Sequence, residues 1–316
     1  MALNIGDEKP GFSGPGYNWD EYIKYRPVYP ASHYERIYKY HELHSNSWGS
    51  AHDVGAGPGV VSQELATRFE HVVISDPNDE ALSIARLRLP SDLLIIDLSS
   101  GFSKDTFTFL QERAEHSSVG DNELDMLVIF EAIHWTDLSE AMKSFARQLK
   151  KGGTVAISYY GSPHIQHNPN AQEVWGKIFN VWAGKLNTAG QIVVRALRNS
   201  NTGLDTVPFP LEDWKAGARR IVINTEGRMN PFKLSATNSN DEPSRVGELD
   251  VREFIDRDEG WVERKNVEWL KGLFATFLPR ISEEEIQELW IELENAIGGL
   301  ELEITWPVVL LLATKR

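Results

Sequence analysis

The chain has 316 residues, with 46 acidic and 32 basic side chains and a formal net charge of −14. This acidic balance argues against a nucleic acid or an anionic membrane as the main partner, so a small molecule is the expected ligand, and no pattern indicates a protein partner. The length suits one large domain with an insertion, or two domains, and the absence of cysteine excludes disulfides and thiolate metal ligands.

The chain carries no obvious membrane or export segment. No apolar run is long enough to span a membrane, and residues 1–7 lack the charged and apolar regions of a signal peptide. Together with the absence of cysteine, these features predict a cytoplasmic protein.

An aromatic segment precedes the first predicted strand. Residues 17–30 contain Tyr22, Tyr25 and Arg26, and two prolines then give an extended lead into a helix that begins near Ala31. Aromatic packing for the tyrosines and a surface ion pair for Arg26 are the structural alternatives to a binding role.

A glycine-rich turn links a short predicted strand to a predicted helix. Its sequence is His52-Asp53-Val54-Gly55-Ala56-Gly57-Pro58-Gly59. Glycines at such a turn allow the backbone to approach a ligand closely, and the following helix start at Val60 offers unpaired N–H groups. The spacing G-x-G-x-G differs from the dinucleotide fingerprint G-x-G-x-x-G, and no Lys-Ser/Thr pair follows, which excludes a P-loop.

A carboxylate follows the next predicted strand, His71 to Asp76. It lies about 20 residues beyond the turn, the distance at which a βαβ unit delivers a ribose-binding acid. The turn with Asp53 before it and Asp76 after it resembles motif I of the class I S-adenosylmethionine (SAM)-dependent methyltransferases. This resemblance implies SAM as cofactor and S-adenosylhomocysteine (SAH) as product. It also implies a cofactor site formed by Asp53, Gly55, Ala56, Gly57, Gly59, Asp76 and Pro77.

Two further strands supply candidates on the same edge of the sheet. Residues 93–97 form a predicted third strand, and the resemblance places Asp97, with Leu98, near the adenine of SAM. A helix cap or turn aspartate is the alternative for Asp97. Residues 101–115 are predicted to be helical. The near-continuous apolar run 124–130 predicts a fourth strand covered on both faces.

The fourth strand is followed by Glu131, Ala132, His134 and Trp135, at the position where a doubly wound sheet presents residues to its ligand. Glu131 and Ala132 are predicted to contact the cofactor. His134, with an ordinary pKa near neutrality, is the candidate catalytic base or acceptor-orienting group. A buried structural histidine is the alternative. Trp135 is predicted to form a wall of the acceptor pocket.

Two segments are also similar to the trans-aconitate methyltransferase branch of this family. They are Y-x-x-Y-R-P-x-Y-P, which contains Tyr22, Tyr25 and Arg26, and A-x-H-W followed by an acid, which contains His134 and Trp135. The resemblance implies that the first three residues cover SAM, with Arg26 near its carboxylate, and that the acceptor is a carboxylate oxygen. It covers residues 17–160 well and the remainder only loosely.

The alternation of strands and helices predicts an α/β fold with a doubly wound, mostly parallel, seven-stranded sheet, Rossmann-like as in class I methyltransferases, and a helical lid inserted in the C-terminal half. Residues 138–149 form a predicted helix and 154–159 the fifth strand. The predicted core is 1–160, completed by 217–225 and 300–316, and the predicted lid is 161–216 and 226–299. Helices are predicted over 246–262, 267–277 and 282–297, and a final strand over 302–314.

The predicted acceptor site combines aromatic and basic residues. Tyr159, Trp175 and Trp182 are candidates for contact with the acceptor. A polycarboxylate acceptor would need converging arginines, for which the chain beyond residue 160 offers Arg195, Arg198, Arg219, Arg220 and Arg228. No histidine cluster has the spacing of a metal site, so no metal is expected.

Several functions remain open at this stage. A methyltransferase acting on a trans-aconitate-like acid is the leading hypothesis. The alternatives are an O-, N- or S-methyltransferase that tailors a secondary metabolite, a SAM-binding regulatory protein with little transfer activity, and, from the fold alone, an NAD(P) oxidoreductase.

Overall fold

An open α/β sheet covered by helices organises the chain. A computed structural model describes residue 12 and residues 16–89, 106–234 and 242–316. The helices in these ranges are α1 (Trp19–Tyr25), α2 (Ala31–Glu42), α3 (Val60–Leu65), α4 (Asp79–Arg88), α5 (Leu138–Gln148), α6 (Pro169–Leu186), α7 (Gln191–Asn201), α8 (Val267–Ala275) and α9 (Glu283–Ile297).

The strands of the same ranges form two sheets. They are β1 (Ser50–Val54), β2 (His71–Ser75), β3 (Phe107–Leu110), β4 (Leu124–Phe130), β5 (Leu149–Tyr160), β6 (His164–Ile165), β7 (Arg219–Ile223), β8 (Val251–Ile255), β9 (Val262–Lys265), β10 (Leu302–Thr305) and β11 (Val308–Thr314). The larger sheet has the order β3-β2-β1-β4-β5-β11-β7-β8, and the smaller one the order β6-β10-β9.

The predicted doubly wound, mostly parallel sheet is confirmed. Only β11 runs against its neighbours, β5 and β7, whereas every other adjacent pair is parallel. The described residues contribute eight strands instead of the predicted seven, because β8 adds to the outer edge of β7. The strand order reverses between β1 and β4, where the connections leave in opposite directions and open a crevice at the carboxyl ends.

The residues of β4 show why the sheet is buried on both faces. All seven are buried, and alternate side chains enter different apolar clusters. Met126 and Val128 pack in the cluster that contains α2, α3, α4 and the aromatic residues of α6 and α9, whereas Leu127 and Ile129 pack with α5. This arrangement fixes the strand end, and with it the residues that follow Phe130.

Two predicted helices are strands in the structure. Within 101–115, residues 107–110 form β3, which pairs in parallel with β2. Within 246–262, residues 251–255 form β8 on the sheet edge. Both strands are short and partly exposed, so their state depends on pairing with a distant strand and not on local periodicity. The predicted strand 93–97 lies outside the described residues.

The end of the chain divides into two strands. The predicted strand 302–314 is interrupted at Trp306 and Pro307, so β10 joins the smaller sheet and β11 the larger one. The predicted helices over 267–277 and 282–297 are confirmed as α8 and α9. Besides helices, the segments 161–216 and 226–299 contain β6, β8 and β9, and their separation from the core as a lid stays a prediction.

Candidate active site

A cavity of about 440 Å³ lies at the carboxyl ends of β1, β4 and β5. The ends of these strands form its floor, and α1, the loop after α8, α6 and α7 contribute the remaining lining residues. It is therefore located at the reversal of strand order, where an open α/β sheet binds its ligand.

The glycine turn forms part of the floor. Gly55 and Gly57 line the cavity and have φ values of 65° and 54°, a region that side chains disfavour. A Cβ at Gly55 would lie 2.5 Å from the Ala132 Cβ, and one at Gly57 would lie 3.5 Å from the Trp19 ring. Gly59 instead packs against α4, where a Cβ would lie 2.8 Å from Leu89. Two of the glycines thus line the cavity, and the third allows close packing of the turn against α4.

Two buried carboxyl groups hold this turn. Asp76 accepts from the backbone N–H of Gly57 at 2.9 Å and of Asn78 at 2.8 Å, and it lines the cavity. Asp53 lies behind the turn, outside the cavity wall, and accepts from the Ser62 hydroxyl at 2.6 Å. Burial raises the pKa of Asp76, and burial with the nearby Asp76 raises the pKa of Asp53 to about 7. Asp76 is the acid available to a ligand.

Arg26 places a cation in the wall. Its Nε donates to Thr276 Oγ1 at 2.9 Å and its Nη2 to Thr276 O at 3.2 Å, while Nη1 donates to the Tyr160 hydroxyl at 3.4 Å. The guanidinium also lies 5.1 Å from the centre of the Tyr22 ring. Among the described residues no carboxylate forms an ion pair with Arg26. Its charge is therefore available to an anionic group of a ligand.

Aromatic residues of the N-terminal segment surround the glycine turn. Trp19 contacts Gly57, and its ring centroid lies 4.8 Å from that of Tyr17 and 5.5 Å from that of Tyr22. Phe12 lies 6.1 Å from Trp135. Trp19 and Phe12 line the cavity without having been predicted. The local sequence offered no means of identifying them, because only the folded chain brings them to the turn.

Glu131 occupies an unusual backbone conformation at the end of β4. Its φ is 54°, which non-glycine residues rarely adopt, and its Oε1 accepts from the Tyr160 N–H at 2.5 Å. Burial raises the pKa of Glu131 to about 8, although that hydrogen bond and Arg26 oppose the shift. A carboxyl group that is largely protonated at pH 7 therefore faces the cavity.

His134 lies in a short 3₁₀ helix, Ile133–Trp135. Its ring centroid is 5.2 Å from that of Trp135 and 5.2 Å from that of Tyr159. Burial, with a smaller effect of Arg26, lowers the pKa of His134 to about 3. The expectation of a pKa near neutrality is therefore wrong, because enclosure disfavours the imidazolium ion. Neither ring nitrogen has a hydrogen-bond partner among the described residues, and Nδ1 is fully enclosed.

The structure brings most of the predicted site residues together. Those that line the cavity are Tyr22, Arg26, Gly55, Gly57, Asp76, Pro77, Glu131, Ala132, His134, Trp135, Tyr159 and Trp182. Tyr25, Asp53, Ala56, Gly59 and Trp175 lie outside its wall. Tyr25 packs on Gly272 of α8, and the Trp175 indole N–H donates to Pro163 O at 2.9 Å within the core. Asp97 and Leu98 lie outside the described residues.

Neither a metal site nor a membrane span is found in the described parts of the chain. No three His, Asp or Glu side chains of these ranges converge as metal ligands, and none of the described helices is long and apolar enough to cross a bilayer.

Known proteins resemble both the sequence and the fold. Residues 52–157 match the model of a family described as "Methyltransferase domain". The chain is 30% identical over 303 residues to Methyltransferase AacuQ of Aspergillus aculeatus, covering 94% of this chain and 93% of that protein. It is 31% identical over 334 residues to Methyltransferase ptaI of Pestalotiopsis fici, with the same coverage. Neither name states an acceptor.

A solved structure supports the fold alone. It comes from Anaeromyxobacter dehalogenans, is attributed to a type II methyltransferase, and superposes with a TM-score of 0.55 at 19% identity. The match covers 92% of this chain and 97% of the other. The likeness thus includes the segments outside the predicted core as well as the sheet.

Proposed function

The chain belongs to the class I SAM-dependent methyltransferases, and we propose that it tailors a secondary metabolite by methylating a small aromatic acceptor, most readily at oxygen. Two fungal methyltransferases that align over nearly its whole length support this proposal. The observation that carries it is the wall around His134, which combines a neutral imidazole with aromatic and aliphatic side chains.

The residues around the glycine turn fit SAM. Gly55 and Gly57 line the cavity without side chains of their own, Asp76 supplies a carboxylate to ribose hydroxyls, and Arg26 supplies a cation to the methionine carboxylate. Glu131 supplies an acidic group for the cationic part of the cofactor. SAM supplies an activated methyl group on a sulfonium centre.

The protein's contribution to methyl transfer is positioning and exclusion of water. The acceptor atom must lie in line with the methyl and sulfur atoms, so a rigid wall that fixes the acceptor has a direct effect on rate. Trp135, Tyr159 and Trp182 line the cavity; Tyr159 and Trp182 are buried and Trp135 is half-buried. Such a wall orients a planar acceptor and keeps water out of the site.

His134 acts in this proposal as a hydrogen-bonding group for the acceptor. Because burial lowers its pKa to about 3, the neutral imidazole can either donate a hydrogen bond to an acceptor oxygen or accept one from a hydroxyl group. It is a weak base under these conditions, so orientation is its main role.

The described arginines argue against a polycarboxylate such as trans-aconitate. Of the five candidate arginines beyond residue 160, only Arg195 lines the cavity. Arg198 pairs with Glu242, Arg220 with Asp250, and Arg228 with Glu226. Apart from Arg26, which is assigned to the cofactor, only Arg113 and Arg195 of the described arginines line the cavity, so an acceptor with three carboxylates would meet too few cations on the acceptor side. The resemblance to the trans-aconitate branch is close only over residues 17–160. The tailoring hypothesis does not depend on any resemblance beyond residue 160.

Methyl transfer from labelled SAM tests the proposal. We expect turnover with hydroxylated benzoic acids or naphthols and little or none with trans-aconitate, with SAH binding confirmed by calorimetry in the same preparation. Preferred turnover of trans-aconitate would overturn the proposed acceptor class. SAH binding without transfer to any member of a broad phenol, carboxylic acid, amine and thiol panel would favour the regulatory alternative.

The role of His134 has a separate test. His134→Gln keeps a neutral hydrogen-bonding group, whereas His134→Leu removes it. We expect the leucine variant to lose transfer rate by about 100-fold and the glutamine variant to lose less, with SAH affinity unchanged in both. Equal rates for the leucine variant and the unaltered enzyme would contradict a role toward the acceptor.

A further inference from the structure

Arg195 is a cation on the acceptor side of the cavity, and few of its N–H donors have a protein partner. It lies on α7, is half-buried and lines the cavity. Its Nη2 donates to Trp135 O at 3.3 Å, and its Nε has no partner among the described residues. A guanidinium has five N–H donors, so one long hydrogen bond leaves most of them without a protein partner.

The acidic residues at the cavity mouth do not neutralise Arg195. Asp137 caps α5, where it accepts from the Ser139 N–H at 3.0 Å, and Glu140 pairs with Lys143 at 2.9 Å. Glu115 accepts from the Asp137 N–H at 2.8 Å. Within the described ranges no carboxylate forms an ion pair with Arg195. A partly desolvated cation without a counter-ion favours an anionic ligand.

The neighbouring Arg198 has the environment of an ordinary surface arginine. It lies one turn further along α7, is exposed, and pairs with Glu242 at 3.4 Å. It does not line the cavity. The two arginines therefore differ in environment although they share a helix, which makes Arg198 a matched control.

The position of Arg195 relative to His134 follows from how α7 contacts the 3₁₀ turn. Arg195 binds the carbonyl oxygen of Trp135, and the Asn199 Nδ2 donates to the carbonyl oxygen of His134 at 3.3 Å. Both contacts hold α7 against the turn that carries the proposed acceptor-orienting group. An acceptor beside His134 is thus within the part of the cavity that Arg195 borders.

We propose that Arg195 determines acceptor specificity by binding an anionic oxygen group of the acceptor, with a carboxylate as the best geometric match. The planar guanidinium presents parallel N–H donors that suit the two oxygens of a carboxylate. The inference rests on the proposed function, and it narrows the acceptor to an aromatic compound with one carboxylate. That group fixes the orientation of the ring against the aromatic wall.

Binding of two planar probes to the SAH-loaded protein tests this proposal without requiring turnover. The probes are 2-naphthoate and its neutral analogue 2-naphthamide, measured by calorimetry at pH 7. We expect naphthoate to bind about tenfold or more tightly than naphthamide, as a charge-assisted contact would produce. Arg195→Gln should remove this difference, Arg195→Lys should keep part of it, and Arg198→Gln should leave it unchanged.

Several outcomes would overturn the proposal. Equal binding of the two probes to the unaltered protein, no naphthoate binding at millimolar concentration, or an unchanged preference in Arg195→Gln would each do so. A purely structural role would lower the affinities of both probes equally. A loss of SAH affinity in Arg195→Gln would instead place the arginine at the cofactor. None of these results depends on methyl transfer, so they are distinguishable from failure of the proposed function.

Discussion

Arg26 connects the cofactor end of the cavity to three parts of the chain. It extends from the C-terminal end of α1 to Thr276 after α8 and to Tyr160 at the end of β5. We expect Arg26→Gln to weaken SAH binding by about tenfold or more, because a charge-assisted contact with the methionine carboxylate is lost. Arg26→Lys keeps the charge but lacks the paired N–H donors of the planar guanidinium, and it should give an intermediate SAH affinity. Calorimetry with SAH measures both.

The control for Arg26 is Lys24→Gln, an exposed cation on the same helix. It should leave SAH affinity unchanged. If the Arg26→Gln and Lys24→Gln variants bind SAH with equal affinity, Arg26 serves only to hold Thr276 and Tyr160, and the predicted contact with the cofactor is wrong.

The raised pKa of Glu131 leads us to expect that cofactor binding depends on pH. Its pKa of about 8 in the ligand-free protein leaves it mostly protonated at pH 7. A cationic ligand favours the ionised form, so SAM binding should release up to about one proton at pH 7. The affinity should therefore rise with pH until about 8 and then level. Calorimetry in buffers with different ionisation enthalpies measures the proton release directly.

Two variants separate Glu131 from the other acids. Glu131→Gln cannot ionise, and it should reduce proton release and flatten the pH dependence. Glu140→Gln removes an exposed carboxylate at the cavity mouth that pairs with Lys143, and it should leave the release unchanged. Identical proton release in Glu131→Gln and the unaltered protein would assign the effect to another group, such as Asp53, whose pKa is raised to about 7.

At the scale of elements, a substitution in the glycine turn has two effects that can be measured separately: backbone strain, which lowers stability, and obstruction of the ligand, which lowers affinity. Gly57→Ala places a side chain at φ 54° and 3.5 Å from Trp19. We expect a loss of about 1–2 kcal/mol in the free energy of unfolding and a larger loss of SAH affinity, because the methyl group enters the cavity wall. Denaturant titration and calorimetry measure the two effects.

Gly176 provides the matched control for this substitution. It lies in α6, and a Cβ there would meet no atom within 4 Å. Gly176→Ala should raise stability by up to about 1 kcal/mol without changing SAH affinity. If Gly57→Ala retained full SAH affinity, the turn would not contact the cofactor as proposed.

The elements that could be predicted from the sequence are those whose pattern is local. The turn with its three glycines and the buried run of β4 both fix their structures within a few residues. β3 and β8 could not be predicted, because each is a short, partly exposed strand that forms only beside its partner. Local periodicity carries no information about such pairing.

The site shows the same division. Asp76, Glu131 and His134 follow strand ends directly, so the alternation of strands and helices was enough to place them together. Trp19 and Phe12 reach the cavity through tertiary packing, and no spacing rule connects them to Gly57. The pKa of His134 depends on the residues that enclose it, which the sequence does not reveal. The sequence likewise does not distinguish Arg195 from Arg198. The structure does, because Arg195 is half-buried and lines the cavity whereas Arg198 is exposed.

At the scale of the whole molecule, the apolar core crosses the boundary between the predicted core and lid. One cluster of buried residues joins Val128 of β4 and Ala156 of β5 with Trp175 of α6, Phe274 of α8 and Trp290 of α9. Because these segments share one core, they are expected to unfold together. The predicted lid would then be part of one cooperative unit with the sheet and not an independently stable domain.

Calorimetric unfolding with and without SAH tests this interpretation. We expect one transition for the ligand-free protein, shifted as a whole by SAH, since the cavity is bordered both by the sheet and by α6 and α7. At 100 times the dissociation constant, SAH should stabilise the folded state by about 2.7 kcal/mol, whereas NADH should have no effect. Two transitions of which only one responds to SAH would show that the lid folds separately. In that case the packing of Trp261 against Tyr29 and Tyr160 would be an interface between domains, and substitutions there would alter acceptor binding more than global stability.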